Sequence, residues 1–469
     1  RVMNSDKRFI FMLSGTQGGK CGRFKVLLAS GERRFIRDVK VGDEVFCLDD
    51  SLKIVKSTVS ATYDNGIQDT FKVITTSGRE ITVTGEHPLL SPDGWKPTRE
   101  FGPGEFVGVP RNLPVSGINR EDHKKLRLIG YLLAEGGLNG KTVMFTNSDN
   151  TIIDDLVSCL PSPCVLKHRT RYDYHICGYG RGSSSNNHVL EMVRDLGMNV
   201  LAKEKHIPDF IFTLVKEDIA QVLSSIFMCD GWVDNKGFGI SLSSKRFIHD
   251  IQHLLLRFGI VGRVRYKAAK YNGKTFDSWN LVIRETEHLQ ILSDEIGLGI
   301  KQAKLISLIE SKSGVNNGKD RIPGYPIEEC YNAIYNPGYR GKYNKTTDPE
   351  GYELLRTARH DNISRRKAQE IADYFGIGTE LAYSDIFWDT IREVIPLGPD
   401  HVYDITVDGY HNFIADDIFA HNTTLGPWWL SREIERRGAG DYLAVAPNYD
   451  LFKLKMLPEM RKCFENILQ

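Results

Sequence analysis

Apolar and polar residues alternate in short runs over residues 21–110 and again near the end of the chain. Runs with this period of two, separated by Gly, Asp and Pro, are typical of half-buried strands joined by turns. The pattern predicts strands at residues 24–28, 44–48, 71–75 and 80–84, and two or three more within residues 385–422. Both segments are therefore predicted to be all-β.

The pattern changes between residues 118 and 384, where helical and strand-like runs are mixed. Two apolar segments, residues 128–136 and 223–231, carry small residues on one face and end in a carboxylate followed by glycine, at Glu135 and Asp230. Strand-like runs and amphipathic helices follow each of them. This arrangement predicts an internal repeat, and therefore an α+β module with pseudo-twofold symmetry.

The composition is that of an ordinary globular protein, with 41% hydrophobic and 26% charged residues in a chain of 469. This length predicts about two to four domains. This composition excludes disorder and a collagen-like structure as descriptions of the whole chain. A membrane protein is excluded as well, because no stretch approaches the ~20 apolar residues of a membrane helix. The scattered cysteines favour a reduced compartment, and we expect a cytoplasmic protein without a membrane partner. The chain begins with Arg1, so we expect a fragment of a longer product.

An apolar run at residues 8–13 leads into the sequence SGTQGGK, residues 14–20. This is the beginning of a loop whose backbone N–H groups and lysine surround phosphates, although Ser14 stands where such loops have their first glycine. The loop needs Ser or Thr after its lysine, but the next residue is Cys21, and the missing Thr423 follows Asn422. Removal of residues 21–422 restores GTQGGKTT between a strand and a helix. The predicted nucleotide-binding residues of the joined host are Gly18, Gly19, Lys20 and Thr423.

The residues at the two breakpoints, Cys21 on one side and His421 with Asn422 on the other, resemble those of an intein, a self-splicing insert. Four further blocks resemble the family in the expected order: VGDEV at 41–45, TGEHPLL at 84–90, VYDITV at 402–407 followed by HNFIA at 411–415, and FAHN at 419–422. The resemblance implies the Hedgehog/intein (HINT) β-fold. It also implies host segments 1–20 and 423–469, splicing segments 21–117 and 385–422, and an insert at 118–384.

Splicing must first activate the peptide bond between Lys20 and Cys21. The thiol of Cys21 can attack the Lys20 carbonyl and form a thioester. His87 is suited to protonate the departing amide nitrogen as a general acid. Thr84 can hydrogen-bond the same peptide and stabilise the oxyanion. A structural role for His87 as a loop histidine remains open.

The later steps involve the downstream junction. The Thr423 hydroxyl takes over the upstream segment, and the family resemblance gives Asp404 the part of its base; a structural role for Asp404 remains open. Asn422 then cyclises to a succinimide and releases the insert. His421 and His411 are suited to polarise that carbonyl and to move protons, because imidazole titrates near neutrality. No cofactor is expected for splicing.

The two helices that end in Glu135 and Asp230 resemble the LAGLIDADG motifs of homing endonucleases. The resemblance implies a monomeric αββαββα pseudo-repeat that cuts double-stranded DNA at a site in the host gene. Paired carboxylates at the helix ends can bind Mg²⁺ through oxygen ligands, and such metals activate water for phosphodiester hydrolysis. Lys245, Lys267 and Lys270 are open candidates for a basic residue that assists cleavage.

The net charge of +1 hides an asymmetry along the chain. Residues 241–284 contain nine basic and two acidic side chains, a balance that suits contact with DNA phosphates. Residues 316–345 are predicted to form a long irregular connection. Residues 364–375 are predicted to form a basic helix, either a further DNA contact or a return path to the splicing segment, and the return path is favoured.

The joined host segments resemble the start of a phage terminase large subunit, which is an ATPase. The resemblance implies that the host binds ATP and Mg²⁺ only after splicing, and that the rest of the host protein is needed as well. Two alternatives remain open at this point. One is a P-loop ATPase with a non-splicing regulatory insertion, which would not depend on Cys21 or Asn422. The other is a splicing intein whose insert binds DNA but no longer cuts it.

Overall fold

The computed structural model describes residues 19–179, 187–271, 273–312, 320–334, 348–356, 358 and 362–421. The predicted phosphate loop before Gly19, and Asn422, Thr423 and the rest of the downstream host segment, lie outside these residues.

Strands form where the alternating pattern predicts them, and residues 44–48 and 80–84 match to the residue. The strands before the insert are β1 (Lys20–Cys21), β2 (Lys25–Leu27), β3 (Arg33–Phe35), β4 (Glu44–Leu48), β5 (Ile54–Thr75), β6 (Glu80–Thr84), β7 (Pro88–Ser91), β8 (Gly94–Pro97) and β9 (Phe106–Pro110).

The middle of the chain alternates helices and strands. Its elements are α1 (His123–Glu135), β10 (Gly136–Gly137), β11 (Val143–Thr146), α2 (Asn150–Cys159), β12 (Val165–Thr170), β13 (Asp173–Cys177), α3 (His188–Asp195), α4 (Lys216–Asp230), β14 (Gly231–Val233), β15 (Phe238–Leu242), α5 (Lys245–Leu256), β16 (Arg263–Tyr271), β17 (Lys274–Ile283), α6 (Thr286–Ile291) and α7 (Gln302–Lys312). The remaining elements are β18 (Arg321–Pro323), α8 (Ile327–Ile334), α9 (Pro349–Arg356), β19 (Asn362–Ser364), α10 (Arg365–Phe375), α11 (Thr379–Ala382), β20 (Ile386–Val407), β21 (Asn412–Ala415) and β22 (Ile418–His421).

Strands from both ends of the chain share two sheets. One sheet has the order β4-β5-β6-β1-β20-β9, and the other has the order β3-β2-β21-β22-β7-β8. The long strands β5 and β20 pair antiparallel from Val59 opposite Val407 to Thr75 opposite Ile391. One buried apolar cluster unites side chains of residues 24–115 with side chains of residues 386–420. The two end segments therefore fold as one interleaved β-structure.

The predicted internal repeat is present in the backbone. After α1 the strands form a sheet in the order β10-β11-β13-β12, and after α4 they form a sheet in the equivalent order β14-β15-β17-β16. The two helices pack closely because Gly130 faces the partner helix: a Cβ atom built on Gly130 would lie 2.6 Å from the Val222 carbonyl oxygen and 2.7 Å from the Ser225 Cβ. The absence of a side chain at Gly130 thus sets the helix separation.

Residues 322–382 build an apolar cluster of their own, a division that the sequence pattern did not indicate. The prediction of an irregular connection over 316–345 is wrong for its described part, because β18 and α8 form there. The predicted helix at 364–375 is confirmed as α10, capped by Ser364. The guanidinium of its first residue, Arg365, is buried and donates to backbone carbonyls of residues 381–386. This contact ties α10 to the start of β20.

Within the described parts of the chain, no helix is long and apolar enough to cross a membrane.

The packing at Gly130 generates a stability prediction. Gly130→Val should lower the urea midpoint of unfolding, because the added side chain overlaps the backbone of α4. The expected loss in the free energy of unfolding is about 1–3 kcal/mol. The ellipticity at 222 nm follows this transition, since the α-helices of the described residues lie between His123 and Ala382. The measurement uses a chain with Cys21→Ala and Asn422→Ala, which blocks the expected splicing.

Gly140→Val is the matched control, because the nearest atom to a Cβ at Gly140 lies 3.5 Å away, an ordinary contact distance. Equal midpoints for the two variants would contradict the assignment of Gly130 to the helix contact.

Candidate splice junction and acidic helix-end site

The upstream junction is held as a strand. Lys20 and Cys21 form β1, in which Lys20 lies opposite Val83 of β6 on one side and opposite Tyr403 of β20 on the other. Thr84 fixes the preceding residue from both directions: its backbone N–H donates to the Gly19 carbonyl at 2.9 Å, and its hydroxyl accepts from the Gly19 N–H at 3.1 Å. The predicted contact of Thr84 with the junction backbone is therefore present, one peptide before the bond between Lys20 and Cys21.

His87 lies in the loop between β6 and β7 and is completely buried. Its backbone is anchored, because its N–H donates to the Thr84 carbonyl and its own carbonyl accepts from the Thr98 hydroxyl at 2.7 Å. Neither ring nitrogen has a hydrogen-bond partner among the described residues. Burial, and then the positive charge of Lys20, lower the pKa of His87 well below its usual value. The ring is therefore neutral at pH 7 in this state, with both nitrogens available for proton transfer.

The Lys20 side chain points into the protein. Its ammonium lies 2.6 Å from Asp404 Oδ1 and 3.3 Å from the His421 carbonyl oxygen, and both ion-pair partners are buried. It also lies 4.5 Å from the centroid of the Phe413 ring. Asp404 therefore contacts the upstream junction residue. Its predicted action on Thr423 stays a prediction, because Thr423 lies outside the described residues.

The Cys21 thiol has a partner that sequence reasoning missed. It donates to Asp400 Oδ2 at 2.9 Å, and the same oxygen lies 3.4 Å from the Arg23 guanidinium. Burial, and then this hydrogen bond, raise the pKa of Cys21 above its usual value. No motif marks Asp400 in the sequence, since it precedes the VYDITV block and becomes a neighbour of Cys21 only through the pairing of β1 with β20.

The strand that leads to the downstream junction runs beside this site. His421 is the last residue of β22, lies opposite Asn412 of β21, and packs its ring against Trp95 with centroids 4.7 Å apart. Asn412 anchors the hairpin by two hydrogen bonds to the backbone of Leu48. His411 adopts a positive φ of 52° in the turn before β21. The structure thus brings Thr84, His87, Asp404 and His421 to the Lys20–Cys21 strand, whereas Asn422 and Gly18 lie outside the described residues.

The two predicted carboxylates of the middle module occupy equivalent positions. Glu135 ends α1 and Asp230 ends α4, and each is half-buried and followed by a glycine that starts a strand. Burial, and then the negative charge of Asp230, raise the pKa of Glu135 to about 7. Burial likewise raises the pKa of Asp230 to about 6. The two partly buried carboxyl groups thus lie close enough at the ends of the packed helices for the charge of Asp230 to raise the pKa of Glu135.

A pair of lysines accompanies these carboxylates, and neither lysine is among the three candidates that the sequence suggested. Lys205 donates to the carbonyl of Leu133 at 2.8 Å at the end of α1. Lys301 donates to the carbonyl of Cys229 at 3.0 Å at the end of α4. Both ammonium groups oppose the rise in the pKa of Asp230. The signal that could have found them is spacing, because each lysine follows its carboxylate at nearly the same distance in the two repeats.

The candidate Lys245 has another role. Its ammonium lies 2.7 Å from Glu80 of β6, so it joins the middle module to the splicing sheet. Among the described residues, no group of three or more His, Cys, Asp or Glu side chains could hold a metal ion, and the acidic pair at the helix ends is Glu135 with Asp230.

An interleaved β-fold that holds a cysteine peptide against a Thr-x-x-His loop and a His-ended strand defines a splicing domain. A family model described as "Intein splicing domain" matches residues 26–422, most of the chain. The chain therefore belongs to the intein family, whose activity is autocatalytic protein splicing. The predicted HINT-type β-architecture and the splicing function are thus confirmed at the level of the family.

Curated relatives share modest identity with the chain. The "Replicative DNA helicase DnaB" of Rhodothermus marinus is 27% identical over 433 residues, which cover 87% of this chain and 46% of the relative. "Protein RecA" of Mycobacterium tuberculosis is 26% identical over 409 residues, which cover 77% of this chain and 50% of the relative. The chain spans about half the length of these relatives. Among solved structures, a DnaB intein from Synechocystis matches at 12% identity over 86% of this chain and 98% of that chain, with a TM-score of 0.28.

The contact between Cys21 and Asp400 generates a pH prediction. Asp400→Asn removes the negative charge that opposes the thiolate, so the pKa of Cys21 should fall and its alkylation by iodoacetamide should rise at lower pH than in the parent. The measurement is the midpoint of the alkylation rate against pH, followed by mass spectrometry of the peptide that contains Cys21, in an Asn422→Ala chain.

Asp64→Asn serves as the control, because Asp64 lies on the paired strand β5 and contacts His401, with no contact to the thiol. A midpoint that moves equally in both variants, or toward higher pH in Asp400→Asn, would contradict the prediction.

Proposed function

We propose that the chain excises residues 21–422 and joins Lys20 to Thr423. The Cys21 thiol attacks the Lys20 carbonyl, and a thioester C–S bond forms as the C–N bond breaks. His87 delivers a proton to the departing nitrogen, and Thr84 holds the adjacent peptide in place. The Thr423 hydroxyl then displaces the thiol and forms an ester with Lys20. Asn422 cyclises with help from His421 and His411 and breaks its peptide bond to Thr423, and the freed Thr423 amine attacks the ester carbonyl to form the Lys20–Thr423 amide.

The observation that carries this proposal is the meeting of the two junctions. The Lys20 ammonium of the upstream junction lies 3.3 Å from the carbonyl oxygen of His421, the residue before Asn422. Such proximity supplies the orientation that acyl transfer between the two ends requires. The thiol of Cys21 is free, so the proposal also requires a reducing compartment such as the cytoplasm.

Substitution at the junctions tests splicing. The parent chain should yield a product of residues 21–422 and a ligated product of residues 1–20 with 423–469, observed by intact mass over time. Cys21→Ala should abolish the ligated product, because the thioester needs the sulfur, and Asn422→Ala should abolish release of the insert. Cys177→Ala, at a buried cysteine of the middle module, should splice like the parent. Ligated product from Cys21→Ala would refute the assigned nucleophile.

We propose in addition that residues 118–384 form a LAGLIDADG homing endonuclease that cuts double-stranded DNA. The supporting observation is that each helix end carries a carboxylate and a lysine that donates to the backbone carbonyls there, Glu135 and Lys205 at the end of α1 and Asp230 and Lys301 at the end of α4. The lysines hold backbone carbonyls and place positive charge beside the carboxylates. Positive charge at this position stabilises a phosphodiester whose negative charge grows during hydrolysis.

The acidic pair fits Mg²⁺. Oxygen ligands are those that Mg²⁺ prefers, and Mg²⁺ usually keeps several waters and takes only one or two carboxylates from a protein. The raised pKa of Glu135 reflects burial of a charge that a divalent cation would offset. Bound there, Mg²⁺ would supply activated water and stabilise the leaving oxygen.

The DNA would lie on the exposed faces of the two repeated sheets. Strand β12 exposes Lys167 and Arg169, and the equivalent edge strand β16 exposes Arg265 and Lys267. Other basic residues of the region 241–284 are engaged elsewhere, such as Arg257, which is buried. The proposed phosphate contacts therefore come from both repeats, as a pseudo-twofold arrangement on a duplex requires.

Removal of either carboxylate tests the nuclease. The substrate is a plasmid that carries the host gene without the insert. Glu135→Gln and Asp230→Asn should each reduce Mg²⁺-dependent linearisation about 100-fold or more, because each removes a proposed ligand. Glu217→Gln, at an exposed carboxylate in the first turn of α4, should cut like the parent. A parent that binds this plasmid without cutting it would favour the alternative of an inactive insert.

For the host, we propose a P-loop ATPase that resembles a phage terminase large subunit. Curated relatives of the chain are named as a replicative DNA helicase and as RecA, and we propose that the host of this chain also acts on DNA. ATP and Mg²⁺ would bind only after Lys20 and Thr423 are joined.

A further inference from the structure

We propose that Lys20, a host residue, is a positioning residue of the splicing site and that the site is specific for lysine at this position. The inference rests on the proposed splicing chemistry and extends it to the downstream junction. The geometry that points to it is the contact of one ammonium group with elements of both junctions, Asp404 in β20 and the His421 carbonyl in β22.

The side chain of Lys20 is fully enclosed, with no exposed area, although lysine is a residue type that almost never reaches this state without a partner. A buried ammonium costs several kcal/mol of desolvation, which an ion pair offsets only with good geometry and further hydrogen bonds. Lys20 has both, with Asp404 Oδ1 at 2.6 Å and the His421 oxygen at 3.3 Å. The Phe413 ring, 4.5 Å from the ammonium, adds a cation–π contact.

The enclosure selects lysine over other residues. Methionine or glutamine at position 20 would leave the buried carboxylate of Asp404 without its cation, and a glutamate would place two negative charges together. Arginine would keep the charge but would bring a larger planar group into a space in which lysine already has no exposed surface. The site thus discriminates both by charge and by size.

The ammonium also connects the chemistry of the two ends. The backbone oxygen that it contacts is that of His421, the residue before Asn422 in the sequence, so Lys20 holds the strand that leads to the proposed site of cyclisation. After burial, its positive charge is the next cause of the low pKa of His87. A host side chain upstream of the insert is therefore expected to control cleavage downstream of it.

The test isolates the downstream step. In a Cys21→Ala chain, thioester formation cannot occur, and cleavage after Asn422 is followed by the release of residues 423–469. Adding Lys20→Met should slow this cleavage about tenfold or more, since one partner of a buried ion pair is lost. The cleavage rate of the Lys20→Arg variant should lie between that of the chain with lysine at position 20 and that of the Lys20→Met variant. Lys72→Met is the matched control, because Lys72 forms a 2.6 Å ion pair with Glu80 in the same sheet but is partly exposed.

A double-mutant cycle separates this role from a general loss of folding. Asp404→Asn in the same background should slow release as Lys20→Met does, and the double variant should be no slower than the slower single variant, because both remove one interaction. Additive effects, or a Lys20→Met rate within about twofold of the Lys72→Met rate, would overturn the inference. A Cys21→Ala parent that releases no downstream product would also overturn the inference, because the downstream step would then depend on the earlier steps and not on Lys20, whereas the proposed splicing itself is decided by the intact-mass test of the parent, Cys21→Ala and Asn422→Ala chains.

Discussion

The antiparallel pairing of β5 with β20 is the constraint on which the rest of the molecule depends. These strands lie on opposite sides of the insert in sequence, yet they pair from Val59 opposite Val407 to Thr75 opposite Ile391. Because side chains alternate along strands, a slip of one residue would turn Asp404 away from the core and toward solvent. The register of this one pair therefore decides which residues of the closing segment meet Lys20 and Cys21.

Burial then determines the charge state of each group at the junction. His87 is neutral because it is enclosed beside a cation, whereas burial lowers the pKa of Lys20 and the ion pair with Asp404 opposes that shift. At the more open edge of the same site, the Cys21 thiol is hydrogen-bonded to Asp400 and is disfavoured as a thiolate. The described residues thus combine an imidazole that lacks a hydrogen-bond partner among them with a thiol whose pKa is raised. In the proposed splicing reaction, the next change needed is a proton leaving the thiol.

Local patterns predicted much of the architecture and little of the side-chain pairing. Alternation located β4 and β6 to the residue, and repeated small-residue helices located Glu135 and Asp230, because both signals depend on spacing within one element. The contacts of Asp400 with Cys21 and of Asp404 with Lys20 join residues nearly four hundred positions apart, which no periodicity encodes. The separate core of residues 322–382 was missed because a glycine- and asparagine-rich composition concealed the short elements β18 and α8.

The inserted module is joined to the splicing fold at more than its two ends. It leaves after β9 and returns at β20, which pair with each other at Pro110 and Ile386, so the chain departs and re-enters at one point of the sheet. Its helix α5 also contacts the elements that carry the junction residues: Lys245 pairs with Glu80 of β6, and His253 lies 2.6 Å from Asp417. Asp417 occupies the turn that connects β21 to β22, the strand that ends in His421. Loss of the module would remove the histidine that contacts Asp417, whereas Glu80 would keep Lys72. The module also contacts the upstream splicing segment, because Gln252 donates to the Ser77 carbonyl and Asp250 pairs with Arg33. It therefore supports both splicing segments, whereas the described side-chain partners of Lys20 and Cys21, Asp404 and Asp400, come from the splicing strand β20.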